Sequence, residues 1–454
     1  MQLSEQSVVS TVPWSAWADR AARAAFFLVL VLMPFRAHFT LLKRPTLPVY
    51  GDYTDFQLYA SDIAVLFVLL FWSVSLLAGR RRVRLGSPYV WLPLAGLTVA
   101  ALLSVLGGID RVLSLYQSAR LGLLFLFYLY ICNEMRSPDS ILIPTALQVA
   151  VQAPVAIAQF LAQRSIGFHR LGELALDPGQ NGASIVWSES GRMLRAYGLS
   201  DHPNILGGSL AFGLLLLLVA FLHGDEKNRW PAALVFTPGA VALLLTFSRS
   251  AWLAFLAGAL LLALLEVLSR RSARLLEMGG LALASALLLL PFIWANLPLL
   301  GVRLGAGQSF SSVPAEQQSL GEREMLARIF SSIFSEHALT GVGLGASPLA
   351  LRQEVPDLST NYQPPPLTLL AAAVETGIVG STFYFLLGFL PWIGFLGRRR
   401  VLAADPVLLV APILLLAVTV VGFFDYYTWS FVPGRLWQWL AWGLVSVAFG
   451  SKDA

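Results

Sequence analysis

Apolar runs of about 20 residues, the length at which a helix crosses a bilayer, recur along the whole chain and restrict its architecture more than any motif does. They fall near 22–36, 59–78, 88–106, 113–131, 140–161, 205–222, 230–247, 251–268, 277–297, 367–396, 404–423 and 431–449. With 57% hydrophobic residues against 13% charged, the 454-residue chain carries far more apolar surface than one soluble core needs. The expected fold is therefore an all-α polytopic membrane protein with about twelve transmembrane helices. A secreted precursor would show one short apolar run with a cleavage site, whereas here the first run is followed by many.

Basic clusters give the runs a direction, because Lys and Arg near span ends are retained in the cytoplasm. GRRRVR (79–84), KNR (227–229), SRRSAR (269–274) and GRRR (397–400) all fall on one side when the spans are counted in order. Both termini are then cytoplasmic. This clustering accounts for the net charge of +5 and argues against nucleic acid as a partner. The long connections, 162–204 and 298–366, fall on the outer face, the second as a major outer loop before the tenth span. No fixed-period repeat is present, so residues 1–454 form a single transmembrane domain, and the lone Cys132 makes no internal disulfide.

Charges out of keeping with this plan mark candidate functional positions. Arg249, in TFSRSAW, occupies a narrow outer turn where an arginine is costly unless it faces a polar cavity or an anion; Ser248 and Ser250 flank it, and snorkelling to headgroups is the plainer alternative. GEREMLARIF supplies Arg323 and Arg328, a pattern equally suited to a solvated helix start. Beyond it Leu326, Ile329, Phe330, Ile333 and Phe334 recur with helical spacing, as expected of a helix at the membrane interface or against the bundle. Arg195, His202 and Asn204 precede the sixth span in RAYGLSDHPNILGG, where capping accounts for Asn204 but not for Arg195. Gly341, Gly343 and Gly345 permit close backbone approach or exposed amides, without the Gly-Lys-Ser/Thr of a nucleotide loop. The five histidines show no metal-ligand spacing. Asp425, Tyr426 and Trp429, in GFFDYYTWSFVPGR, suit either an aromatic belt or the stacking of sugar rings.

Four of these segments, RAYGLSDHPNILGG, TFSRSAW, GEREMLARIFSSIFSEHALTGVGLG and AAAVETGIVG (371–380), occur in the order and with the sidedness of the O-antigen ligase and O-antigen polymerase superfamily, which the chain resembles over most of its length. The resemblance implies a GT-C-like fold in a bacterial inner (cytoplasmic) membrane with its active side towards the periplasm. It implies a metal-independent, inverting transfer of a glycan from an undecaprenyl-diphosphate carrier, without a cofactor, to lipid A core or to a second lipid-linked glycan. Arg249 and Arg323 are expected at the diphosphate, where paired guanidiniums stabilise a leaving anion. Arg195, His202, Asn204, Arg328, Asp425, Tyr426 and Trp429 are expected at substrate, alongside membrane lipids. The family's acceptor-assisting histidine falls nine residues before Glu375, where this chain has Pro366, which neither accepts nor donates a proton. His337, His202 and Glu375 are the stand-ins considered, although Glu375 equally suits a structural partner of an arginine. A ligase is preferred over a polymerase, and a transporter or a non-catalytic glycan-binding protein is the alternative from another class.

Overall fold

The computed structural model describes residues 13–135, 139–179, 182–188, 191–304, 314–358, 360–404 and 406–450. The chain runs as α1 (Pro13–Leu32), β1 (His38–Leu42), α2 (Gly51–Thr54), β2 (Phe56–Tyr59), α3 (Ala60–Gly79), α4 (Pro88–Ser104), α5 (Arg111–Glu134) and α6 (Asp139–Ala162). It continues through β3 (Ile185–Ser188), β4 (Gly191–Leu194), α7 (Pro203–His223), α8 (Glu226–Leu245), α9 (Arg249–Leu268), α10 (Ser272–Ala295), α11 (Leu297–Leu304) and α12 (Pro314–Glu336). The last elements are α13 (Ser347–Glu354), α14 (Thr368–Ala404), α15 (Pro406–Phe424), α16 (Tyr427–Ser430) and α17 (Val432–Gly450). Among the described residues seven helices, α3, α5, α6, α7, α9, α10 and α14, are long and apolar enough to cross a membrane, and α4 and the Leu408–Phe424 part of α15 are shorter apolar helices. The protein is a multi-pass helical membrane protein.

α7 is the axis of the bundle. Its sequence, PNILGGSLAFGLLLLLVAFLH, is apolar on every side, so it gains by burial all round, and α6, α8, α9, α15 and α17 enclose it. Its buried hydroxyl, Ser209, accepts from Trp437 Nε1 at 3.2 Å. α10 is less apolar, with Arg274 and Glu277 in its first turns, and buries only Leu281 and Ser285, as expected of a helix facing lipid on most of its surface.

Two expectations change in detail. The first helix starts at Pro13 rather than near 22, because Arg20 and Arg23 lie on its exposed face and do not interrupt it; it ends at Leu32, just before Pro34. Two antiparallel hairpins, β1–β2 and β3–β4, interrupt the otherwise helical architecture. The amphipathic stripe of α12 buries Leu326, Phe330 and Ile333 in a satellite core with Leu349, Leu351 and Val374, so it packs on the bundle. At the bundle end carrying the basic clusters, Arg81 pairs with Asp19 at 2.8 Å and Glu134 at 3.0 Å, and Arg229 with Glu277 at 2.9 Å.

Candidate functional site

A cavity of about 520 Å³ opens at the other end, within the size range of small-molecule sites. It is walled by the segment before α3 (Tyr50, Asp52, Tyr53), the start of α7 (Asp201, His202, Asn204), Arg323 of α12, the segment before α14 (Asn361, Gln363) and the turn after α15 (Asp425, Tyr426, Tyr427). These residues come from five separate parts of the chain, so the bundle assembles the site.

A chain of polar contacts fixes one wall. Arg195 is 4% exposed and donates from Nε to the Thr246 carbonyl at 2.7 Å, from Nη1 to Ser184 Oγ at 2.8 Å and from Nη2 to Asn204 Oδ1 at 2.5 Å. Asn204 Nδ2 donates in turn to Asp425 Oδ2 at 2.6 Å. Arg195 is thus a scaffold for the wall, and Asn204 is its relay. The helix cap is His202, whose Nδ1 accepts from the Asn204 amide at 3.1 Å. Burial pushes the Asp425 carboxyl above the ordinary carboxylate range, with the Arg323 charge opposing that shift. Arg323 donates from Nη1 to the Phe424 carbonyl at 2.7 Å, next to Asp425.

Three residues before Asn204, Asp201 pairs with Arg36 Nε at 2.8 Å and accepts from Tyr59 Oη at 3.3 Å. Burial raises its carboxyl to about 7 despite Arg36. Burial, then the charges of Arg195, Arg323 and Arg303, lower the His202 imidazole to about 3. The ring is therefore neutral near pH 7, and because Nδ1 accepts a backbone N–H, its proton resides on Nε2. In that state His202 is a hydrogen-bond donor and a poor base.

Glu375 belongs to a different structure. α14 is interrupted at Gly377, with φ 68° and ψ −169°, and the segment carrying the three glycines docks at the break. Val342 and Gly343 amides donate to the carbonyls of Val374 and Glu375 at 2.8 and 3.1 Å, and Ile378 donates to Ala338 at 2.8 Å. A Cβ on Gly341 would lie 2.5 Å from the Glu375 carbonyl, and one on Gly377 would lie 2.3 Å from the Leu339 oxygen, so the two segments meet only because both positions are glycine. The Glu375 carboxylate is 2% exposed and accepts from the Gly345 amide at 2.9 Å, Ser347 Oγ at 2.6 Å and Trp429 Nε1 at 2.8 Å. Its hydrogen-bond partners are an amide, a hydroxyl and an indole, and the Arg435 charge acts on it as well.

Three further candidates lie apart from the cavity. Trp429 is 1% exposed with its N–H committed to Glu375, so it offers no face for a sugar. The Arg328 side chain is 78% exposed and pairs with Glu324 one turn away, because this face of α12 looks to solvent. His337 is exposed where α12 ends, outside the cavity lining. Arg249 opens α9 directly after the turn whose Thr246 and Phe247 carbonyls receive Arg195 and Arg303, and it is not among the described lining residues. Pro366 is buried, three residues beyond the cavity-lining Gln363.

Sequence reasoning missed Asp52, Tyr53, Asn361 and Gln363 in the lining and Arg36 and Arg303 behind it. The signal available for the first pair was VYGDYTDF, two tyrosines and two aspartates in a short outer connection. Asp52 is exposed to the cavity and accepts from Gln57 Nε2 through one oxygen at 3.1 Å. Among the described residues no group of three or more His, Cys, Asp or Glu side chains is arranged to hold a metal ion.

No curated protein matches the chain. The part that carries Arg249, Arg303, Arg323, His337 and Glu375 does have a family counterpart: residues 232–385 match the family described as O-antigen ligase.

Proposed function

We propose that the protein is an inverting glycosyltransferase of the O-antigen ligase type, working in a bacterial inner membrane with the cavity towards the periplasm. The observation that carries this reading is the cavity itself, where Arg323 stands beside the Arg195–Asn204–Asp425 wall and the donor hydrogen of His202. The family match over residues 232–385, which includes Arg323, Asn361 and Gln363 of the lining, supports glycan transfer.

The donor is a glycan on a polyprenyl diphosphate, whose anion meets the Arg323 guanidinium and His202 Nε2–H, with Arg249 and Arg303 at the adjoining turn. An acceptor hydroxyl attacks the anomeric carbon as the carbon–oxygen bond to the diphosphate breaks, and the electron pair leaves on the phosphate oxygen. One displacement of this kind inverts the centre. Charge grows on the leaving group, so fixed cationic donors stabilise the transition state more than the ground state. The acceptor proton passes to Asp52, which takes the part left vacant by Pro366. Two other carboxylates in the cavity are less suited: both oxygens of Asp201 and both of Asp425 already accept hydrogen bonds or ion pairs. The chemistry uses no metal.

The test is transfer from a purified undecaprenyl-diphosphate-linked glycan by the reconstituted protein, offered lipid A core or a second lipid-linked glycan in separate reactions. Product on lipid A core, insensitive to chelator, is the expected result. Lengthened carrier-linked chains would make the protein a polymerase, and tight carrier binding without product would leave a glycan-binding protein.

A further inference from the structure

The large cavity has a face that the transfer chemistry leaves unused. Tyr50, Tyr53, Asn361, Gln363 and Tyr426 all line it, and their hydroxyls and amides join into two short chains. Tyr50 Oη donates to Asn361 Oδ1 at 3.0 Å. Tyr426 Oη donates to Gln363 Oε1 at 3.4 Å, so Tyr53 is the donor in the 3.2 Å contact between the two hydroxyls. Each chain ends on an amide whose oxygen is engaged. The amino groups, Asn361 Nδ2 and Gln363 Nε2, meet no partner among the described residues.

Local structure holds this face in place. Gln363 precedes Pro364, which keeps its backbone extended, and the run of three prolines stiffens the segment before α14. Tyr53 and Tyr426 both pack on Phe431, at ring-centroid distances of 5.9 and 6.3 Å. Tyr50 is 50% exposed and presents an open ring face beside Asn361. Asp52, between Tyr50 and Tyr53 in the chain, adds a carboxylate with one oxygen engaged by Gln57.

Charge divides the cavity. Arg323 is the one cation among the described lining residues, and its charge acts on His202, Asp425 and Tyr426. The carboxylates of Asp52 and Asp425 act on Tyr53. An aromatic face, two amide donors and a carboxylate acceptor match the apolar face and the hydroxyls of a pyranose. A carboxylate or phosphate on that sugar would meet Asp52 as a like charge, which costs affinity.

Taking from the transfer reading only which sugar this is, we propose that Tyr50, Asp52, Asn361 and Gln363 form the subsite for the acceptor's terminal sugar and select an uncharged pyranose over an acidic one. The experiment is saturation-transfer NMR of the purified full chain in detergent, with an isotope-labelled neutral hexose oligosaccharide and a uronic-acid oligosaccharide of equal length. The wild type is expected to bind the neutral glycan about tenfold more tightly than the acidic one. Tyr50→Ala is expected to weaken neutral binding by about tenfold, and Asp52→Asn to bring the acidic glycan within about threefold of the neutral one. Both positions are exposed, so both variants should keep the wild-type unfolding temperature. Binding of neither glycan, equal binding of both by the wild type, or discrimination unchanged in Asp52→Asn overturns the proposal, as does neutral binding unchanged in Tyr50→Ala. Displacement of the labelled glycan by an undecaprenyl-diphosphate-linked glycan, measured in Asp52→Asn so that turnover does not intervene, gives the subsite to the donor's sugar and overturns its assignment to the acceptor. Selective binding that the carrier does not disturb, without transfer to any acceptor, upholds the neutral-sugar subsite and overturns the transferase reading instead.

Discussion

Glu375 and Asp425 are both acids buried near the same end of the bundle, and their surroundings give them different work. Three donors supplied by the protein saturate Glu375, which closes the dock between a glycine-rich segment and a broken helix. Asp425 sits at a cavity wall, held by Asn204 and the Tyr426 amide, with Arg323 acting on it from α12. Donors from the fold hold both carboxylates; the difference is that Glu375 is enclosed, whereas Asp425 shares an open cavity with the Arg323 cation and so shapes the wall that a ligand would meet.

The comparison breaks most visibly at Arg323. Arg323→Ala is expected to lower transfer by about 100-fold, the scale of losing one donor to a developing anion, while the unfolding temperature stays near wild type. Glu375→Ala should do the reverse. It leaves the Gly345 amide, Ser347 hydroxyl and Trp429 indole without their acceptor, a loss of about 2–4 kcal/mol in stability, read by thermal or denaturant unfolding in detergent. Asp52→Asn sharpens the division within the cavity: turnover is expected to fall by about 100-fold, as for removal of a general base, with carrier binding unchanged in a direct binding assay.

A smaller effect separates the two regions by pH. The Asp201 carboxyl titrates at about 7 in the fold against 3.8 ordinarily, so between those values the folded state holds more protons than the unfolded state. Its contribution to stability is full below the lower value and is lost as the pH rises through about 7. Unfolding temperature measured from pH 4 to 8 should show this slope in the wild type, and Asp201→Asn should flatten it. His202, near 3, contributes no limb to an activity profile over the same range. The smallest effects are expected at Arg328→Ala and His337→Ala. Both side chains are exposed, and each change should shift stability by less than about 0.5 kcal/mol and leave transfer within about twofold in the reconstituted assay.

The bundle is readable from the sequence because a bilayer demands long apolar runs, and the observed helices overlie the segments those runs delimit. Arg195 and Asp425 are visible for a related reason: charges at span ends are conspicuous where hydrocarbon penalises them, whereas Asn204 and Arg323 stand out through the motifs that carry the family resemblance. Asp52 has no such contrast, since it lies in a short polar connection where aspartate is ordinary. The role of Glu375 is hidden for another reason. Its donors lie 30, 28 and 54 residues away in the chain, and no local pattern connects them. The same distance hides Trp429, whose place in an aromatic-rich span end resembles a belt until its indole is found against Glu375.

The most direct test of the account is the affinity of detergent-purified protein for an undecaprenyl-diphosphate-linked glycan, compared among the wild type, Arg323→Ala and Glu375→Gln. If the cavity binds the diphosphate and the Glu375 dock is structural, Arg323→Ala weakens binding by about 100-fold, and folded Glu375→Gln binds within about threefold of wild type. Wild-type affinity in Arg323→Ala, with affinity lost in folded Glu375→Gln, would contradict the account.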